Sequence, residues 1–372
     1  MRNIYFNGMI LNNNPTGLGV YTENILDRLL EKYHVNYLVV HNKEYVKDNI
    51  KNIDKTKMID LEYKDSKISF LFRNYKFRKF VKENVDIKND IVYSPTQHGL
   101  NIKGLKQIIT IHDLMPLLYP KGRVHQYYYY KYILPKVIKH VNYIITVSEN
   151  TKEDIIKYYN VDPNIIHVIY NGVDKPGNIG VDESKAYIFN KYKLQNYLLM
   201  VGINYKYKNL HRVIEAYNKI KNTIDTKLVI VGNYKVAYGR ELIKLTQELN
   251  LENNVLFLGY VSREEKEMLY KAANMFIYPS LYEGFGIPVL EAMSNGVPVA
   301  CSNSSSLPEV AKDAAVMFDP NSIDEIEKSI KEVFYLDKSS RNKIIELGFN
   351  NVKKFSWDTA AKSVFNVISK LN

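Results

Sequence analysis

The stretch SLYEGFGIPVLEAMSNG, residues 280–296, sets two carboxylates, Glu283 and Glu291, on either side of a Gly-Phe-Gly turn that opens onto a helical pattern. Gly284 and Gly286 let the backbone come close to a ligand, and Pro288 suits the first turn of a helix, where its missing N–H costs nothing. Free N–H groups near residues 286–290 then face an anion such as a diphosphate. A carboxylate beside a diphosphate is repelled unless its own partner donates hydrogen bonds, and sugar and ribose hydroxyls are such donors. Two acids around an anion site therefore suit a ligand that is phosphate in the middle and rich in hydroxyls at both ends. A nucleotide-diphosphate sugar fits. An acid that stabilises a helix start through the dipole would account for one of these residues but not for the pair.

The elements that must position such a site are parallel α/β units. Short apolar runs alternate with longer helical patterns from end to end. The strands expected in the first half are RNIYFNGMI, VNYLVV, DIVYSP, KQIITIHD, NYIITVSE and IIHVIYNG; in the second half they are YLLMVGIN, KLVIVGN, NVLFLGY, MFIYPS and VPVACSN. Most run straight into Gly, Asn, Ser, His or Asp, and in open parallel sheets those carboxyl ends line the binding crevice. A chain of 372 residues is too long for one ordinary core. The Gly-, Pro- and Asp-rich stretch 171–184 is the expected linker. The expected domains are 1–176, 177–354 and a closing helix over 355–372. That helix is expected to be capped by Ser356, to carry the only tryptophan, Trp357, and to pack back toward the first domain.

Composition narrows the classes of function. The net charge of +11 suits nucleic acid, an anionic membrane or a phosphorylated substrate, and the 31 tyrosines are spread along the chain and not gathered into an RNA-binding motif. No nucleic-acid partner is expected. The single cysteine, Cys301, excludes a disulfide framework and a Cys-based metal site and suits a reducing compartment. The first residues read as a buried strand and not as a signal peptide, and no run reaches the ~18 apolar residues of a membrane span. GLGVYT supplies Gly17 and Gly19 of a dinucleotide turn but Thr22 in the third place, and the second strand ends at His41 and Asn42 with no acid for a ribose. Gly99 and Gly104 have P-loop separation, but Leu105 stands where the lysine belongs. Neither a metal cluster nor a Gly-x-Ser-x-Gly elbow is present in the sequence.

The 283–291 segment resembles the E-x7-E signature of retaining glycosyltransferases of family 4, which have the GT-B fold of two doubly wound, Rossmann-like domains facing a cleft. The likeness extends to GLGVYTENILDRLL, ITIHDLMPLLYP, IITVSENTKEDI, VIYNGVD, LLMVGINYKYKNLHRVIEAY, LFLGYV and FSWDTA, in that order along most of the chain. The resemblance implies transfer of a sugar from a nucleotide donor with retention at the anomeric carbon, with no metal and no cofactor besides the donor. It places Glu283 at the hydroxyls of the donor sugar, Glu291 at the ribose, and Gly284, Phe285 and Gly286 at sugar and phosphate. Lys208 would neutralise the departing diphosphate. His112 would reach the transferred sugar, with Asp113 beside it. A histidine at a strand end is otherwise a hydrogen-bonded core residue, and Asp113 otherwise orients a loop. Gly17, Gly19, Lys206 and Asn209 complete the donor contacts, and Tyr260 and Val261, next to Gly259, would read the base through backbone. Family members often carry an Arg after the glycine of the VG strand or directly before the lysine; here those positions are Ile203 and Tyr207. Lys206 either supplies that cation or is solvated.

For the acceptor, residues 68–82 carry five cations and no acid, with Ile68, Phe72 and Tyr75 on one helical face and Phe70, Phe77 and Val81 on the other. An interfacial membrane helix and a buried helix with snorkelling lysines both fit. KGRVHQYYYYKYILPKVIKH sets Tyr127 to Tyr130 beside Lys131, aromatic faces for a sugar and cations for an anionic lipid. The expected acceptor is a saccharide, lipid-linked, at the cytoplasmic leaflet. The HDLMPLLYP context resembles mannosyl- and rhamnosyltransferases of surface polysaccharides, which makes GDP-mannose the expected donor and a UDP-sugar the alternative. A sugar-nucleotide-binding protein of the same fold without catalysis is the competing class.

Overall fold

The structure, a computed structural model, describes residues 2–13, 17–62 and 69–371, with the backbone alone for 69–72. The chain divides into two compact units, Met1–Gly172 with Phe355–Asn372, and Val173–Lys354.

The first unit holds a parallel sheet of β1 (Ile4–Asn7), β2 (Tyr37–Val40), β3 (Lys57–Asp60), β4 (Ile91–Ser94), β5 (Lys106–Ile111), β6 (Tyr143–Thr146) and β7 (Ile166–Val168) in the order β3-β2-β1-β4-β5-β6-β7. In the second unit β8 (Tyr197–Val201), β9 (Lys227–Val231), β10 (Val255–Gly259), β11 (Met275–Tyr278), β12 (Val299–Ser302) and β13 (Val316–Phe318) run β10-β9-β8-β11-β12-β13. Every residue of β1, β4, β11 and β12 is buried, because helices cover both faces of a parallel sheet. Such strands read as continuous apolar runs, and this is why they were visible in the sequence. Two of the four edge strands, β3 and β13, were not expected; each is partly exposed and offers only KMID or VMF, whereas the edge strands β7 and β10 were expected.

Strand order reverses between β1 and β4 in one unit and between β8 and β11 in the other. Crevices for ligands open at the carboxyl ends of the strands at such points. In the second unit the register pairs Met275 with Leu198 and Phe276 with Leu199, so β8 and β11 end side by side at Val201 and Tyr278. The helix Leu210–Ile220 anchors this edge by burying Leu210, Val213, Ile214, Tyr217 and Ile220, at helical spacing, in a core shared with Ile326, Ile330 and Val333 of Ile323–Phe334. Each such side chain is worth about 1.5–3 kcal/mol.

The unit boundary falls at Gly172/Val173, not at 176/177. Asp174, Gly177 and Ile179 are bonded to the helix Arg263–Ala272 of the second unit: Arg263 Nη2 meets Asp174 at 2.6 Å, and Lys271 Nζ donates to the carbonyls of Gly177 and Ile179 at 2.8 and 2.7 Å. The expected linker is helical from Val181 onward. The helix Trp357–Ser369 belongs to the first unit and packs on Gly17–Lys32. Trp357 is buried against Tyr21, Phe365 stacks on Tyr33 at 4.2 Å, and Asp358 pairs with Arg28 and Lys32. Ser356 is the N-cap residue as expected by position, but its hydroxyl makes no cap hydrogen bond. Gly172 lies so close to Trp357 that a Cβ there would sit 2.2 Å from the tryptophan backbone nitrogen.

Of the 68–82 segment, Ile68 and the side chains of Phe70 and Phe72 lie outside the described residues. In the described remainder of the helix Ser69–Asn84, Phe77, Phe80 and Val81 are buried in the core of the first unit, and Tyr75 is exposed. This part is a core helix with basic residues at its rim. In the second aromatic stretch Val124, Tyr128, Tyr132 and Ile133 are exposed, while Tyr129 and Tyr130 are core residues. Among the described residues no helix is long and apolar enough to cross a membrane.

Candidate active site

In the second unit, β11 ends at Tyr278 and the chain turns through Pro279–Gly286 into the helix Ile287–Ser294. Gly286, at its N-cap, has φ +109°, and a Cβ would lie 2.6 Å from Leu307 Cδ2. Only glycine fits this position. The turn is held from below by the serines that follow β12. Ser302 Oγ donates to the Ser280 carbonyl at 2.6 Å and Ser306 Oγ to those of Glu283 and Phe285 at 3.0 and 2.8 Å, while Ser305 Oγ accepts from Glu283 N–H at 2.8 Å. The 206–208 turn after β8 joins the same loop, with Leu281 N–H donating to the Tyr207 carbonyl at 2.8 Å.

These turns bring Lys208 and Glu283 together. Lys208 Nζ lies 2.6 Å from Glu283 Oε1 and 3.0 Å from the Tyr278 hydroxyl, and it sits over the Tyr278 ring at 5.2 Å. The side chains are only 15% and 7% exposed, so removing one partner strands a buried charge. Burial and the neighbouring Glu283 carboxylate hold the Tyr278 phenol well above its usual range, so it stays neutral. Glu291, on the helix, is a separate centre. Its Oε1 accepts from Lys266 Nζ at 2.8 Å and its Oε2 from the Tyr270 hydroxyl at 3.2 Å.

Other expected donor residues take varied positions. Gly284 and Phe285 are buried in the turn beside Glu283. Ile203 and Tyr207, where a family arginine is common, are buried, and Lys206 is exposed. Asn209 is fully buried; its amide donates to the carbonyls of Pro279 and Pro320 at 3.0 and 2.7 Å, and its oxygen accepts from Arg212 at 2.7 Å, so its side chain holds the loop together. Tyr260 is 91% exposed and Val261 partly so, next to Gly259 at φ +70°.

In the first unit, His112 lies just past β5 with its Nε2 2.9 Å from the Pro95 carbonyl and its ring edge-on to Tyr21 at 4.5 Å. A carbonyl only accepts, so Nε2 carries the proton and Nδ1 the lone pair. Burial pushes the imidazole down to about 4, against the Pro95 bond, which raises it. The ring is neutral at pH 7. Asp113 accepts from Met115 N–H at 2.8 Å and orients the following turn. Gly17 begins its helix exposed, and Gly19 is buried in it. Lys266, Tyr270, Tyr278 and the serines 302, 305 and 306 escaped the sequence reading. The i, i+4 spacing of Lys266 and Tyr270 just after LFLGYVS was the one available signal.

The model of glycosyl transferases group 1 matches residues 182–350 and that of glycosyltransferase family 4 matches residues 15–175. An O-antigen chain mannosyltransferase B of Escherichia coli is 32% identical over 291 residues, 76% of this chain and 75% of that protein. The O-antigen chain mannosyltransferase RfbU of Salmonella typhimurium is 29% identical over 360 residues, 95% of this chain and 98% of that one. Among solved structures, WaaG, a glycosyltransferase involved in lipopolysaccharide biosynthesis, matches with a TM-score of 0.72 at 17% identity, covering 98% of this chain and 99% of that one. A glycosyltransferase from Rickettsia africae matches at 0.74 and 18%, covering 100% and 98%. The fold is therefore GT-B. The chain belongs to the family 4 glycosyltransferases and is a glycosyltransferase.

Proposed function

We propose that the enzyme moves mannose from GDP-mannose, with retention, onto a saccharide acceptor carried on a lipid during synthesis of a surface polysaccharide. The observation that carries this reading is the buried Lys208–Glu283 pair at the strand-order reversal, beside the Gly286 turn. A cation and an acid held together there match a ligand that is anionic on one side and hydroxylated on the other. Mannose is supported by the two O-antigen mannosyltransferases among the relatives.

In this scheme the bond from the anomeric carbon to the diphosphate breaks while a bond to the acceptor oxygen forms on the same face. The acceptor's proton passes to the departing phosphate. Lys208 stabilises the charge that develops on the leaving group, and Glu283 orients the sugar through its hydroxyls. The lone pair on His112 Nδ1 accepts from a sugar hydroxyl. The ammonium of Lys208 does the work a metal would do, so transfer persists in excess EDTA. The enzyme works at the inner face of the cytoplasmic membrane, where Tyr128, Tyr132 and Lys131 meet the acceptor.

A thermal-shift panel of GDP-mannose, UDP-glucose, UDP-galactose and dTDP-rhamnose, followed by a transfer assay, tests this. GDP-mannose should raise the melting temperature most, since a ligand stabilises the state it binds. A larger response to a UDP-sugar would reassign the donor, and no response to any would remove the nucleotide-sugar reading.

A further inference from the structure

Glu291 is gripped at both oxygens from a single helix. Lys266 and Tyr270 are four residues apart on Arg263–Ala272, so they share one face and reach Oε1 and Oε2 respectively. A carboxylate offers about two lone-pair directions on each oxygen. The two donors take one on each and leave one on each, on a side chain still 25% exposed. What remains is a pair of acceptors side by side, the complement of two neighbouring hydroxyls.

We propose that Lys266 and Tyr270 are positioning residues that set Glu291 as a two-pronged acceptor for the 2′- and 3′-hydroxyls of the donor's ribose, an inference that rests on the reading of Glu291 as the ribose acceptor. Lys266 fixes the carboxylate's direction and Tyr270 its rotation. Tyr270 is buried, and burial together with the Glu291 charge keeps its phenol protonated and able to donate. The helix itself is immobilised without the ligand. Its adjoining face, Arg263, Glu267 and Lys271, forms an ion pair of 2.7 Å between Glu267 and Lys271 and bonds to Asp174, Gly177 and Ile179. The acceptor is thus ordered before the nucleotide arrives, and binding need not supply that order.

Calorimetry with GDP and with UDP, each beside its 2′,3′-dideoxy form, tests the proposal. The wild type should prefer the ribose form of the nucleotide it binds by about 10- to 100-fold, the value of hydrogen bonds to a charged group. Lys266→Met and Tyr270→Phe should weaken the ribose form alone, bringing the preference down by about threefold or more, and Lys266→Arg should restore most of it. A merely structural loss would weaken both forms alike and leave their ratio untouched. That result, or variants that keep the wild-type ratio, would overturn the positioning role. Three other results would overturn the reading of Glu291 itself, and the proposal with it: a wild type indifferent to the hydroxyls, Glu291→Gln that keeps the preference, or binding of neither nucleotide.

Discussion

Glu283 and Glu291 each face a lysine, yet their surroundings give them different tasks. Glu283 is 7% exposed and shares its lysine with a buried phenol, whereas Glu291 is 25% exposed at the edge of its helix. On the proposed roles, Glu291→Gln should lower affinity for the nucleotide diphosphate by about 10- to 100-fold, read by calorimetry. Glu283→Gln, which keeps an oxygen for Lys208, should leave that affinity within about threefold while transfer falls by about 100-fold or more. Equal losses in both would end the division of labour. His112 gives a prediction in pH. Its folded value of about 4 lies below its ordinary 6.5, so the unfolded chain binds the proton first as the solution is acidified. The stability it confers is complete above about pH 6.5 and is lost on descending to about pH 4, by up to ~3 kcal/mol at about 1.4 kcal/mol per unit. His112→Phe should flatten that part of a stability-against-pH curve measured by denaturant unfolding. An unchanged slope would mean that the ring is not held neutral by burial.

At the scale of the element, two glycines separate fold from function. Gly286→Ala must adopt φ +109° and meet Leu307, so it should cost about 1–3 kcal/mol and distort the turn that carries Glu283. At Gly17 a Cβ would meet nothing within 4 Å, and the residue opens a helix. Gly17→Ala should therefore leave thermal unfolding unchanged, so any loss of transfer would report the approach of a bound donor. Full activity would remove Gly17 from the donor site. The same contrast explains what was legible in the sequence. The interior strands could be read because burial on both faces demands an unbroken apolar run; at the edges β7 and β10 still lie in the runs IIHVI and VLFLG, whereas β3 and β13 offer only KMID and VMF. Within the site, Glu283, Gly286 and Glu291 lie on one short local stretch whose chemistry is odd on its face. Lys266, Tyr270 and Ser306 are ordinary residues in sequence, and only packing of one helix and one loop against that stretch gives them partners. The bonds of Asn209 were equally hidden, since the two carbonyls that take its amide come from loops distant in sequence.

At the scale of the whole molecule, the first unit is written in two pieces with the second unit between them. Trp357 ties the pieces together, lying buried against Tyr21 and pressed on Gly172. Trp357→Ala should cost about 3–5 kcal/mol, with calorimetric unfolding showing the loss in the first unit. If Glu291 and the Gly286 turn hold the nucleotide, its affinity should change little at temperatures where the variant stays folded; a matching fall in that affinity would mean that the first unit contributes to nucleotide binding. This arrangement also orders events on the ribosome. The face of Gly17–Lys32 that Trp357–Ser369 covers is made early, and its cover is translated about 325 residues later, a wait on the order of 15–65 s at usual elongation rates. During that interval the nascent first unit carries an uncovered apolar stripe around Tyr21. The second unit, whose residues are contiguous, can close its own core first.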